Sequence, residues 1–170
     1  LVGSEMCIRD RAGDYVLSEC MITSYKTAEN GKPLAVDIKK IVGSIELVEN
    51  IYESSMVGKL QVFDTQDVRT LLPITGMEKL HLKFNTPGLN GVNFTIETGK
   101  YFHIYKIERV NQDPKAQRSQ GYDIFFTSKE YYYNFMTKVS KAYEGPIESA
   151  IEDILRNKKY LNSAKALTLS

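Results

Sequence analysis

A mainly β fold, an antiparallel barrel or sandwich followed by a short helical extension, is what this sequence predicts. Three observations carry the expectation. Leu80, Leu82 and Phe84 alternate strictly with Lys79, His81 and Lys83, the period of two of a half-buried antiparallel strand. From Ser128 onward the period changes, with Tyr131, Tyr132, Phe135, Met136 and Val139 repeating at helical spacing, and Ile147, Ile151, Ile154 and Leu155 forming one apolar stripe. The prolines at 33, 73, 87, 114 and 146 all fall in expected turns or at a helix start. Strands that come first and helices that come last exclude an alternating βαβ arrangement.

The elements follow in order. Residues 15–25 are β-branched and aromatic with polar interruptions, and the turn chemistry of 28–33 closes that strand. Segments 35–40, 41–52 and 57–64 continue the strands, with Gly43 and Gly58 marking a bulge or a close backbone approach. Asp64 and Thr65 are placed to cap a short helix over 66–72, and Pro73 stops it. Next come the alternating strand at 78–84, a loop at 86–91, and a hairpin of 92–97 and 101–109 joined by Thr98, Gly99 and Lys100. Residues 110–120 are polar and aperiodic, which predicts a long exposed loop, and 122–127 is the last of about seven strands. Ser128 is expected to cap the first terminal helix, and Gly145 and Pro146 to open the second, which ends near Asn157.

Composition narrows the function. The chain of 170 residues carries 22 Lys and Arg against 21 Asp and Glu, so no basic balance argues for nucleic-acid binding. Its 42% hydrophobic and 25% charged residues are ordinary globular values, and no window approaches a membrane span. The two cysteines, Cys7 and Cys20, make neither a CxxC nor a Cys/His array, and two histidines are a thin supply of general bases. Eleven tyrosines and seven phenylalanines suit sheet faces and interfaces instead. Residues 1–11, LVGSEMCIRDR, have no signal-peptide core and resemble the conceptual translation of a sequencing adapter, so they are expected to lie outside the fold.

Few constellations suggest chemistry. The alternation puts His81, with Lys79 and Lys83, on the solvent face of its strand, and His103 shares a face with Tyr101 and Tyr105. Asp64 to Asp67 begins like a calcium loop but lacks the glycine and the bidentate glutamate, so capping is the better explanation. The sequon at Asn93 follows nothing that suggests secretion. No phosphate loop, dinucleotide fingerprint, nucleophile elbow or zincin motif occurs. Neither a catalytic residue, a cofactor-binding residue nor a metal ligand is therefore assigned. Tyr131, Tyr132, Tyr133 and Phe135 are the candidate interface, either closing the joint between the last strand and the helices or offering a stacking platform.

Four blocks taken together resemble a known family: IELVENIY from Ile45, GKLQVFDT from Gly58, LPITG from Leu72 and LHLKF from Leu80. With FTSKE from Phe126, VSKAYEG from Val139 and IEDIL from Ile151, the pattern is similar to the N-terminal, tail-tube-like domain of baseplate central hub proteins of contractile-tailed (T-even-like) bacteriophages. The resemblance implies a tail-tube-like β-barrel over 12–128, and over 129–170 the helical start of the next hub domain, cut short. It further implies a non-enzymatic virion protein of the phage tail baseplate, assembled in the host cytoplasm. Such hubs are homotrimers carrying two barrels per chain; the pseudo-sixfold ring joins tail tube protein to central spike protein, and DNA passes non-specifically through its lumen. This chain carries one barrel. Two rival expectations are a single-stranded nucleic-acid- or carbohydrate-binding β-barrel module using the aromatics at 131–135, and a hydrolase fragment separated from its site.

Overall fold

The computed structural model describes residues 15–27, 31–50, 52, 55–65, 67–72, 74–86, 91–112 and 120–168. The expectations for 1–11 and for Cys7 lie outside them, as do Pro73, Pro87 and Pro114. Among the described residues eight strands form one antiparallel sheet: β1 (Val16–Thr27), β2 (Pro33–Asp37), β3 (Val42–Glu49), β4 (Met56–Asp64), β5 (Lys79–Asn85), β6 (Val92–Phe94), β7 (Phe102–Gln112) and β8 (Gln120–Ser128). A single helical turn, α1 (Val68–Leu71), follows β4, and α2 (Lys129–Met136) and α3 (Ile147–Arg156) follow β8. Strand order is β2-β1-β5-β7-β8-β4-β3, with β6 pairing β5 off this path.

The sheet is rolled and is not a closed barrel, because among the described residues no ladder joins its edge strands β2 and β3. These two are nonetheless consecutive in the chain, linked through 38–41, so the opposite edges must lie within roughly 17 Å and the sheet must curl to bring them there. They do not turn back on each other as a hairpin, because the Ile38 N–H is committed to the Cys20 carbonyl at 2.9 Å. A 3-10 turn at Lys39–Ile41 then carries the chain across the seam, with Ile38 and Ile41 buried in the core.

Alternation fills the interior. Leu60 and Val62 of β4, Leu80 and Leu82 of β5, Phe102 and Ile104 of β7, and Tyr122, Ile124 and Phe126 of β8 all point inward, with Cys20 and Ile22 from β1. Burial pushes the Cys20 thiol up to about 12, helped by Asp37 and Glu19, so it is held as an inert thiol. The two strand glycines have distinct reasons. Gly43 sits where the β3/β4 register slips between Val42 and Ser44, and a Cβ on Gly58 would stand 2.3 Å from the Phe126 ring.

Several expected boundaries shift. The hairpin of 92–97 with 101–109 does not form: β6 spans only three residues and pairs Leu82, Lys83 and Phe84 of β5, whereas β7 pairs Lys79 and Leu80 at the other end of the same strand. The turn at 96–99, with Gly99 at φ +65° and Thr98 bonded to Thr95, redirects the chain, and Phe94 stacks on Phe102 at 4.5 Å. Residues 110–112 and 120, expected in a loop, extend β7 and β8, and 113–119 lie outside the described residues. Asp64 Oδ2 does accept the Val68 N–H at 2.8 Å, but the helix begins at Val68 rather than at 66, and the residue at its N-cap is Asp67, which makes no side-chain cap. Helix α2 stops at Met136, short of Val139, and Ser128 makes no side-chain cap.

Candidate functional site

One cluster of ionisable and aromatic side chains gathers on the outer face of the sheet, beneath α2. The register places Lys79 opposite His103 and His103 opposite Thr127, so β5, β7 and β8 form one row there. Helix α2 starts at the end of β8 and folds back across that row. Its Tyr132 lies over His103, ring centroids 4.1 Å apart and planes 15° from parallel, and Tyr133 meets the same imidazole edge-on at 6.0 Å. Tyr101, entering β7, touches both histidines: 6.3 Å from His81 and 5.1 Å from His103, each edge to face. Tyr101 also hydrogen-bonds Tyr133.

This corrects the expected solvent face at His81. Both imidazoles are buried, His81 to 5% exposure and His103 to 6%. Alternation along β5 assigns the two faces rightly, but the outer face is covered here by Tyr101 and hydrogen-bonded by the Lys100 backbone. Lys79 remains exposed, with its ammonium 4.5 Å from the Tyr101 ring centre. The expected grouping of His103 with Tyr101 holds, whereas Tyr105 falls at a β-bulge between Ile104 and Lys106 and turns toward Phe125.

Burial keeps the two imidazoles neutral. Desolvation, then the Lys79 and Lys129 ammonium groups, bring His103 down to about 4. His81 is lowered too, chiefly by burial. Neither ring nitrogen of His103 has a partner, and the same holds for His81 Nδ1. Tyr101 is raised, first by burial and then by Tyr133 and Glu130. These imidazole nitrogens are not accessible to a substrate, because they lie beneath rings.

The four candidate interface residues divide between two sides of α2. Tyr132 and Tyr133 close the joint with the sheet, and Tyr131 and Phe135 pair with each other at 5.6 Å on the opposite side. Phe135 is 77% exposed and Met136 72%. Tyr131 and Phe135 are i and i+4 neighbours, which was the available signal for this division. No comparable local pattern pointed to Lys129 and Glu130. Lys129 Nζ donates to the Asn162 carbonyl at 2.6 Å, and Glu130 Oε1 accepts from Ser163 Oγ at 2.7 Å, which ties α2 to the segment after α3.

Helix α3 carries the expected apolar stripe, yet none of its residues is buried and Ile147 is exposed. Asp153 receives Lys141 Nζ at 3.0 Å, Tyr143 Oη at 2.9 Å and Asn157 Nδ2 at 3.0 Å, fastening the linker to the helix. A cleft of about 320 Å³ opens between the start of α2, the turn before β7 and the 164–166 segment, lined by Phe94, Tyr101 and Lys129 among others. Among the described residues no group of three His, Cys, Asp or Glu is placed to hold a metal, and no helix is long and apolar enough to cross a membrane. No protein-family model and no curated protein matches this chain.

Proposed function

We propose that this chain is a structural component of a phage tail baseplate hub, the part of a homotrimeric ring that joins tail tube to central spike. The observation that carries the proposal is an antiparallel sheet rolled on itself but left open, followed directly by helices whose outer faces are apolar. Among the described residues, β2 and β3 each have a ladder partner on one side only. Unpaired strand edges and exposed apolar faces are where a further chain gains most by binding. Tyr131, Phe135 and Met136 on α2 and Ile147 on α3 supply such a face. The near-balanced charge, formally +1, suits a wall along which DNA passes without being held.

The reading as a nucleic-acid- or carbohydrate-binding module loses two of its rings, since Tyr132 and Tyr133 are turned into the joint. Sedimentation equilibrium of the protein, joined with filter binding to single-stranded DNA at low and high salt, tests the proposal. A trimer with no salt-sensitive retention of DNA supports it. A monomer whose DNA binding weakens steeply with salt overturns it.

A further inference from the structure

The joint beneath α2 is built around an imidazole with no polar partner. His103 is sealed between Tyr132, Tyr133 and Tyr101, and both of its nitrogens lack hydrogen bonds. Charged and titratable groups face it from every packed element: Lys79 and His81 from β5, Tyr101 from the entry to β7, and Lys129, Tyr132 and Tyr133 from α2. Strand β8 contributes the uncharged Thr127 opposite. The two charged neighbours that act on the ring are both cations. The α2 carboxylate Glu130 commits one oxygen to Ser163.

Apart from the Tyr101–Tyr133 hydrogen bond, the side-chain polar bonds of α2 do not run to the sheet. Lys129 and Glu130 reach the 162–163 segment, and Arg156 Nη1 donates to the Ser163 carbonyl at 2.8 Å, so α2, α3 and the tail are tied to one another. What holds α2 on the sheet is the set of ring contacts at His103 and Tyr101, with the one hydrogen bond between Tyr101 and Tyr133.

We propose that this contact is an acid-released latch: α2 stays docked while His103 is neutral and lifts from β7 when His103 takes up a proton, uncovering Tyr132 and Tyr133. A protonated ring in the docked state would be a buried cation beside two ammonium groups with both N–H donors unmet. Undocking hands those donors to water. The folded value lies below the ordinary histidine value, so docking is fully favoured above about 6.5 and weakens as pH falls from there toward about 4.

Amide hydrogen exchange of the whole chain at pH 7 and pH 5, corrected for intrinsic rates, reads the latch directly. Opening of α2 should increase roughly 20-fold over that interval, the factor that follows from a release of His103 from about 4 to the free value, with β4 and β8 still protected. His103→Phe keeps the stack and removes the proton site, so α2 should be equally protected at both pH values. The unmodified chain offers a second readout, since the His103 C2–H resonance and the α2 amide shifts should move with one midpoint. The proposal is overturned if α2 protection does not change with pH, if His103→Phe opens as the parent does, if the sheet melts together with α2, or if the two midpoints differ.

Discussion

The Tyr122 hydroxyl donates to Asp64 Oδ2 at 3.0 Å, and the same oxygen accepts the Val68 N–H at 2.8 Å, so one buried carboxylate joins β8, β4 and the start of α1. Burial and then the Asp64 charge push the Tyr122 phenol well above its ordinary value. Tyr122→Phe removes one bond to a charged acceptor without changing the ring. Urea unfolding should show a loss of about 1.5–3 kcal/mol.

Two strand glycines should respond differently to alanine. At Gly58 the new Cβ meets the buried Phe126 ring at 2.3 Å and the Glu46 carbonyl oxygen at 2.7 Å, neither free to move away. At Gly43 it meets only Phe63, an exposed ring that can swing aside. Gly58→Ala should cost about 1–3 kcal/mol in thermal or urea unfolding, and Gly43→Ala under about 1 kcal/mol.

Tyr143 should ionise late. Partial burial, and then its hydrogen bond to Asp153, raise it to about 12. The bonds from Asn157, Lys141 and Tyr143 in turn bring Asp153 down to about 2, so the support it gives the linker is present above the ordinary aspartate range and lost as pH falls through about 2. In Asp153→Asn, ultraviolet titration should find Tyr143 shifted back toward 10, the other tyrosines unmoved.

The outer face of α2 should matter to assembly and not to folding. Phe135 and Met136 are mostly exposed, so a Phe135→Ser, Met136→Ser double substitution should change unfolding by less than about 1 kcal/mol. Under the proposed function it should abolish the trimer in sedimentation.

Legibility in the sequence followed the range of the forces involved. The alternation at Lys79–Asn85 and the stripe of Ile147–Arg156 are local patterns, and both elements stand where they were expected. The burial of His81 was not legible, because what covers that face is Tyr101, twenty residues away in sequence and brought over by the turn at 96–99. Nor was the choice of β6 to pair with β5 and not with β7, since two runs divided by a tight turn look like a hairpin whichever neighbour they take. The open seam depended on one backbone bond, Ile38 to Cys20, and on two isoleucines drawn into the core. The candidate interface was half legible: the Tyr131 and Phe135 pair follows from helical spacing, whereas the inward turn of Tyr132 needed the position of His103.

Electron microscopy of the protein tests the proposed role most directly. The expected result is threefold particles in which the rolled sheets surround an open channel, with the β2 and β3 edges against neighbouring subunits. Particles without threefold symmetry, or a ring whose contacts leave both of those edges in solvent, would contradict it.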